Sequence, residues 1–574
     1  MLARLSKTFF ALCRPREEGS PVIDGHSHAG RRTKSRVWMI MIAFTAVYCV
    51  IGGRLAFYGF SDLPPQDVLA RPVGTSRPDI VDRNGALLAT DLRVASLYAE
   101  PRRIPDIDEV VEKLSTVLPE LKHEQTYNKL KTKQGFVWLK RQLTPRQQAD
   151  IMALGLPGIG FRPEIKRFYP GGSQMSHVLG LTNIDNQGLS GMEKWIDQQG
   201  LVDLRMSGLG VKGAFEPVQL SLDARVQNIM YDELTKAMSL YKATAAGGVI
   251  LNAKTGEVIA MASLPDYDPN NPYNALEKDR LNRMSAGTAE MGSTIKTFTT
   301  AMAVELGGAN LSTMFDASRP IVVGRQRVRD AHGKNRPLSL AEVFLYSSNI
   351  GSAKEALMVG IENQKAFLER AGLLTRLNTE LPEVALPMQP RVWTQPTSIT
   401  AAFGHGFATT PLQTAAGIAG ILNHGRLLSP TFLMRTEEEA RKVERTIVSE
   451  ETSRILRYLY RLNGVKGSGR LANISGYRVG GKTGTAEKVI NGRYAKNHNF
   501  NAFAAALPMD DPQFVLLVIV DDPRPEKPGM GITAFSNAAP VAGSIIRRSA
   551  ALLGVKPQFE DEASVAVNDV QAAQ

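Results

Sequence analysis

The sequence predicts a multidomain chain: a single amino-terminal membrane helix, an α+β domain, and a larger α/β domain in which helices pack an antiparallel sheet. Three observations predict this. The only long apolar run lies near the amino end, short strand-like runs with turn signals dominate from Ile80 to about Asp223, and beyond Ala224 a helical middle is bracketed by two sets of apolar strand-like runs. At 574 residues the chain is too long for one core, and its 43% apolar and 22% charged composition is that of a globular protein.

The membrane element is Val37 to Gly53, extended past Arg54 to Phe60. Seventeen residues at a helical rise reach roughly 25 Å, a little short of a ~30 Å hydrocarbon layer. Arg54 can snorkel into the headgroups, so the span is placed at 37–60, with Trp38 at one end and Phe57, Tyr58 and Phe60 at the other as interfacial anchors. Residues 1–36 carry eight Lys or Arg against three acids, whereas Arg54–Thr90 carries four of each, so the amino end is expected in the cytoplasm. No small-x-small cleavage site follows the run, which favours an uncleaved anchor over a signal peptide. Of the +12 net charge, +5 sits in residues 1–36; the +7 on the rest is scattered, without a basic helix or aromatic interleaving, which argues against a nucleic-acid partner. Both cysteines, Cys13 and Cys49, precede residue 50, so a disulfide or Cys-based metal site is excluded downstream.

Residues 61 to about 75 read as a stalk, and 61–223 as a pedestal domain. Within it, Asp82-Arg83-Asn84-Gly85 is a tight-turn sequence between two short strands, and helices are expected near 107–122 and 144–153. A second domain, 224–556, opens on a helix marked by Val226, Ile229 and Leu234, followed by a hairpin, Gly247–Leu251 and Val258–Ala262, turned through Lys254-Thr255-Gly256-Glu257. Ile295, Phe298, Met302 and Leu306 predict a helix with one buried face, stopped by Gly307-Gly308. Strands return after Gly476, including Phe514–Val520, and residues 557–574 read as a loose tail.

Three short words carry the chemistry: Ser293-Thr294-Ile295-Lys296, Ser347-Ser348-Asn349 and Lys482-Thr483-Gly484-Thr485. None is specific alone, since Ser239-Leu240-Tyr241-Lys242 and Lys254-Thr255-Gly256 repeat two of the patterns; the decoys lie too close together to enclose a site. Ser293 at a helix start, with Lys296 one turn on, suits a nucleophile and its general base. A lysine serves as base only when burial or a positive neighbour, here Lys482, lowers its pKa, at roughly 4 to 5 kcal/mol for a shift from about 10.4 to near 7. Ser347 is expected to relay a proton between the lysines and a leaving amine, and Asn349 to hold the substrate backbone. Alternation along a strand puts Thr483 and Thr485 on one face as a seat for a terminal carboxylate, with Gly484 leaving room for a peptide. The Thr485 and Ser293 N–H groups form an expected oxyanion hole, worth about 3 to 4 kcal/mol per donor. A helix cap at Ser293 or Ser347 and another hairpin turn at Lys482 are the plainer readings of each word taken singly.

The ordered triple resembles the penicillin-binding protein and serine β-lactamase superfamily. Arg77 to Gly85 (R-x-D-I-V-D-R-N-G with Pro78 at the usual glycine), Arg167 to Gly172, His177, Gly188 to Glu193 and Thr410-Pro411-Leu412-Gln413 extend the similarity to class B, monofunctional members. Leu181-Thr182-Asn183-Ile184-Asp185 looks more like the division-specific type than the elongation-specific one. The resemblance implies a penicillin-binding protein/β-lactamase-like catalytic fold and a D,D-transpeptidase that acylates Ser293 with peptidoglycan stem peptides on lipid-linked glycan strands, without metal or other cofactor. It further implies inhibition by β-lactams, a location in the bacterial inner membrane with the catalytic domain in the periplasm, and a SEDS-type glycosyltransferase and other divisome membrane proteins as partners. An elongation-specific transpeptidase and a non-catalytic division scaffold stand as alternatives. A class A β-lactamase would need a glutamate loop, of which Glu380-Leu381-Pro382-Glu383 is only a superficial match.

Overall fold

The computed structural model describes residues 38–39, 41–52, 77–200, 216–323, 326–490, 492–524 and 532–559. The expected segment 1–36, the stalk over 61–75 and the tail past 559 lie outside them. Residues 38–39 and 41–52 are helical, and no helix among the described residues is long and apolar enough to cross a membrane; positions 53–60 of the expected span are not described. The chain divides into Met1–Pro72 and a compact unit from Val73 onward.

The pedestal is a five-stranded sheet. Its long strand β2 (Leu87–Ala99) pairs antiparallel with β1 (Ile80–Val81), β3 (Val137–Leu143) and β4 (Ile159–Phe168), while β1 also pairs parallel with β5 (Val218–Gln219). The predicted turn joins β1 to β2, with Gly85 at φ +82 and Asp82 Oδ1 accepting from the Asn84 and Ala86 N–H groups. Asp82 Oδ2 also accepts from Ala224 N at 3.0 Å, tying this turn to the first helix of the next domain. The helix expected near 107–122 is α1 (Ile107–Val117), which stops short because Pro119 cannot continue it, and a further helix that was not expected follows, α2 (His123–Leu130). The second expected helix is α3 (Pro145–Ala153), started by a Thr144/Gln147 capping box, and α4 (Gly191–Gln198) closes the pedestal.

Three stretches singled out in the sequence, those holding Arg77, Arg167 and Glu193, converge on one buried ion cluster. Glu193 accepts from Arg77 Nε at 2.9 Å and from Arg167 Nε at 2.6 Å. Arg167 also reaches Asp91 at 3.1 Å and the Pro78 carbonyl at 2.9 Å, and Arg77 reaches Asp197 at 2.5 Å. The guanidinium forks satisfy several acceptors each, which is why arginine and not lysine occupies these positions.

After the pedestal strands comes α5 (Ala224–Tyr241), capped by Asp223, which packs on a five-stranded, wholly antiparallel sheet. Its hairpin is β6 (Ala245–Asn252) and β7 (Val258–Leu264), turned at Gly256 with φ +75, so Lys254-Thr255-Gly256 is turn chemistry as expected. The other strands are β8 (Gly480–Ile490), β9 (Arg493–Leu507) and β10 (Phe514–Asp521), in spatial order β8-β9-β10-β6-β7. Both faces are covered. Val515, Leu517 and Ile519 pack into the helical core on one side, while Leu516, Val518 and Val520 pack against α5 and α11 (Ala538–Ser549) on the other. A strand buried on both faces loses the apolar/polar alternation, hence the continuous run from Phe514 to Val520. The helical side contains α6 (Lys296–Gly307), α7 (Leu340–Leu345), α8 (Asn349–Val359), α9 (Pro411–Leu422) and α10 (Glu450–Lys466).

The helix predicted with one buried face is α6, and the structure corrects that pattern. Every residue from Lys296 to Ala303 is buried, whereas Leu306, assigned to the buried stripe, is exposed. The polar residues of the supposed outer face are buried because each has a partner: Thr297 bonds Tyr460 Oη at 2.7 Å, Thr299 donates to the Ala402 carbonyl at 2.7 Å, and Thr300 meets Glu355. Gly308, at φ +66, ends the helix as foreseen.

Candidate active site

The reactive serine precedes α6 on a 3-10 turn, Gly292–Ile295, and from Met291 to Ala303 Ser293 is the single residue that is not buried. Two glycines let this turn touch the edge of the sheet. Gly292, at φ +52, would place a Cβ 2.7 Å from the Thr485 carbonyl oxygen, and a Cβ on Gly484 would lie 2.4 Å from the Met291 carbonyl oxygen. The Ser293 turn and the middle of β8 are thus in backbone contact, although nearly two hundred residues separate them.

The second word sits between α7 and α8. Ser347 is held in the left-handed region at φ +54, an uncommon conformation for a residue with a side chain. Ser348 caps α8, and Asp330 fixes the turn by accepting from Ser348 Oγ at 2.7 Å and Ile350 N at 3.0 Å. This geometry turns the Ser347 and Asn349 side chains toward α6.

Lys296 Nζ donates to the Ser347 carbonyl at 2.5 Å, to Ser347 Oγ at 3.1 Å and to Asn349 Oδ1 at 2.8 Å. From the other side Lys482 Nζ donates to the same Ser347 hydroxyl at 2.9 Å. Two ammonium groups, both fully buried, therefore share one serine oxygen. Burial pushes Lys296 well below the usual lysine range, and the nearby Lys482 charge pushes it further down; Asp330 and Glu355 act in the opposite direction without cancelling the effect. Burial brings Lys482 down to about 7. Its ammonium also lies 5.7 Å from the centre of the Phe344 ring, a cation–π contact that holds it in place.

Along β8, Thr483 and Thr485 are half-exposed while Lys482 and Gly484 are buried, as strand alternation required. Ser468 Oγ lies 2.7 Å from Thr483 Oγ1, and Thr485 Oγ1 accepts from Ala534 N at 3.1 Å, which leaves its proton free to donate outward. Asn463 Nδ2 donates to the Gly481 carbonyl at 2.6 Å, fixing the strand from behind.

All eight residues singled out in the sequence thus belong to one contiguous region joined by these bonds and backbone contacts. Sequence reasoning missed Ser468, Asp330 and Glu355. Ser468 lies in Gly467-Ser468-Gly469, a loop signal just after α10 that gave a hint; Asp330 and Glu355 carry no local pattern. The decoys fall elsewhere: Ser239 and Lys242 are exposed at the end of α5, and Lys254 pairs with Asp511 at the hairpin turn.

The chain matches the penicillin-binding protein transpeptidase domain over residues 246–547 and the penicillin-binding protein dimerisation domain over residues 72–199. It belongs to the penicillin-binding proteins of the class that joins these two domains. Similar proteins include the probable peptidoglycan D,D-transpeptidase FtsI of Caulobacter vibrioides, 36% identical over 541 residues, covering 92% of this chain and 90% of that protein. The peptidoglycan D,D-transpeptidase FtsI of Escherichia coli K12 is 30% identical, with 84% of this chain and 85% of that protein covered. Stage V sporulation protein D of Bacillus subtilis is 31% identical, covering 92% of this chain and 87% of that protein.

Proposed function

We infer that the protein is a peptidoglycan D,D-transpeptidase that cross-links stem peptides during septal wall synthesis, and that β-lactams acylate it in place of the donor. The observation that carries the reading is the pair of buried ammonium groups on one hydroxyl beside the only accessible residue of the Ser293 turn. Lys296, neutral when its proton has left, takes the Ser293 Oγ proton as the oxygen attacks the carbonyl between the last two D-alanines. The tetrahedral oxyanion is met by the backbone N–H groups of Ser293 and Thr485, fixed and desolvated in advance. Ser347 passes the proton, through the Lys296–Lys482 pair, to the departing amine of the terminal D-alanine. The resulting ester is then attacked by an amine on a neighbouring strand, and Ser293 is restored. Thr483, Thr485 and Ser468 seat the terminal carboxylate with Lys482 as its positive field, while Gly484 lets the donor lie against β8 and Asn349 holds the donor backbone.

Slow hydrolysis of the acyl-enzyme fits the same site. Glu380, in the loop that most resembles a deacylation loop, accepts from Thr431 Oγ1 and Phe432 N, and Glu383 accepts from Gly191 N on the pedestal. Both carboxylates are taken up structurally, so this region supplies no free base for activating water. The segment 37–60 anchors the chain in the bacterial inner membrane with residues 1–36 cytoplasmic and the catalytic domain periplasmic, and a SEDS-type glycosyltransferase and other divisome membrane proteins are its partners; the apolar run and the charge bias support the first of these, and the family resemblance the second.

Ser293→Ala is expected to lose covalent labelling by a fluorescent penicillin while keeping its melting profile. Ser239→Ala should label like the parent, and a mapped adduct on any residue other than Ser293 refutes the assignment.

A further inference from the structure

A second cavity, of about 290 Å³, shares no lining residue with the catalytic cleft. Three segments enclose it: the start of α9, the 371–378 loop that follows the helix Ile361–Arg370, and the two-stranded ribbon Arg426–Leu427/Arg445–Thr446 with the residues just after its first strand. Gln413 of α9 shapes it. That side chain is buried, accepts from the Thr409 and Thr410 hydroxyls, and donates to the Gly372 and Thr375 carbonyls at 3.0 and 2.5 Å. Helix and loop are thereby stitched together, and the amide has no proton left for a ligand.

The other polar side chains of the lining are all donors that lack a fixed acceptor. They are Arg376, Arg445, Asn378, Thr375 and Ser429, and no aspartate or glutamate stands among them. Arg376 donates from Nε to the Val384 carbonyl at 3.0 Å and from Nη2 to the Pro382 carbonyl at 3.4 Å, which sets its direction and leaves Nη1 unused. Among the described residues Arg445 makes no ion pair and no side-chain hydrogen bond. The acids on the flanking segments are engaged elsewhere, Glu380 by Thr431 Oγ1 and Phe432 N, and Glu444 by Arg426 at 3.0 Å. Two guanidinium groups without a carboxylate, together with an amide and two hydroxyls, give one small cavity a capacity for negative charge.

We propose that this cavity binds a pyrophosphate group, either free or carried on a lipid, with one phosphoryl unit on Arg376 and the other on Arg445. A carboxylate presents two oxygens in one plane and is served by a single guanidinium fork, whereas donors arriving from separate segments match the tetrahedral oxygens of phosphoryl groups. The volume is at the small end of ligand pockets, which run from roughly 300 to 1,000 Å³, and suits a compact anion. Leu377, Leu427 and Leu428 in the lining would meet an apolar chain attached to it. The site is independent of the transpeptidase reading.

The test is calorimetric titration of the full chain in detergent, at fixed ionic strength, with sodium pyrophosphate, geranyl pyrophosphate and citrate. Pyrophosphate is expected to bind with a Kd below about 1 mM and more tightly than citrate, a carboxylate polyanion. Arg445→Gln should weaken it roughly tenfold or more, the loss of one charge-assisted contact, and Arg376→Gln likewise. Arg445 holds no other group in place, so its variant keeps the fold even if Arg376→Gln loosens the loop. Arg426→Gln, which removes a cation already paired on the same ribbon, should bind like the parent. Geranyl pyrophosphate binding at least tenfold tighter than pyrophosphate supports a lipid-borne ligand, and equal binding supports a free one. A Kd above 1 mM for both pyrophosphates, citrate binding as tightly, a loss in Arg445→Gln no larger than in Arg426→Gln, or pyrophosphate that blocks penicillin labelling of Ser293 overturns the site.

Discussion

The pedestal and the catalytic cleft both bury cations away from water, and they treat them in opposite ways. At the pedestal base Arg77 and Arg167 are surrounded by Glu193, Asp91 and Asp197, so every buried positive charge has a negative one at 2.5 to 3.1 Å. Burial alone would lower the Arg167 guanidinium, and Glu193 and Asp91 more than offset it, so that its proton is held more tightly than usual. In the cleft Lys296 and Lys482 face each other across one serine hydroxyl, and the result is the reverse: both give up protons far more readily than lysine in water. Compensated charge orders the interior of the pedestal; buried like charge makes a base at neutral pH. The choice of cation follows, since a guanidinium stays charged and forks to several acceptors whereas an ammonium can be neutralised.

The contrast breaks most directly where one charge is removed from each cluster. Lys296→Met should slow penicillin acylation by about 10²- to 10⁴-fold, read by stopped-flow or quenched labelling, with little loss of thermal stability, because the apolar side chain fills the buried volume and no cation is left to desolvate. Glu193→Gln should do the opposite. It takes from two buried guanidinium groups the carboxylate they share and destabilises the protein by about 3–5 kcal/mol, seen in denaturant unfolding, while the Ser293 site of the surviving folded fraction still labels. Equal effects of the two variants on stability would erase the distinction drawn between the clusters.

A gentler probe is pH. Lys296, held by burial and the Lys482 charge well below the usual lysine range, is expected to make acylation rise with pH well short of the ordinary lysine value of about 10.4, and a profile that rises only near that value contradicts a buried lysine base. Stability reports a third group. Glu355 on α8 is fully buried, 3.2 Å from Thr300 Oγ1, and burial raises its carboxyl to about 8 against an ordinary 4.5. Between those values the folded state binds more protons than the unfolded one, so Glu355 makes stability fall as pH rises through that window. Glu355→Gln should therefore show a smaller drop in melting temperature from about pH 5 to pH 8 than the parent. The smallest effect belongs to the decoy: Lys254→Ala removes a surface pair with Asp511 and should change stability by less than about 1 kcal/mol, with labelling untouched.

Much of the site was legible in the linear chain because its chemistry comes in short words whose order survives any loop length, and because strand period and helix turn fix which neighbours face together. The turn at Asp82, the helix opening at Ala224 and the alternation along Lys482-Thr483-Gly484-Thr485 are local in this sense. The stop after Val117 was local as well, in Pro119, although the expected helix ran past it. Other features had no local signal. Thr297, Thr299 and Thr300 look like the wet side of an amphipathic helix until Tyr460, Ala402 and Glu355 arrive from 55 to 163 residues away to satisfy them.

The reacting groups, their order, and the strands and helices that bear them were already specified in the linear chain, since they follow from residue type and spacing. Three-dimensional packing was needed to stand Ser347 between two ammonium groups and to let Glu193 neutralise two arginines. Each of these depends on desolvation and on charges brought within a few ångströms from distant segments, and Coulomb energies fall with separation in space, whatever the separation along the chain.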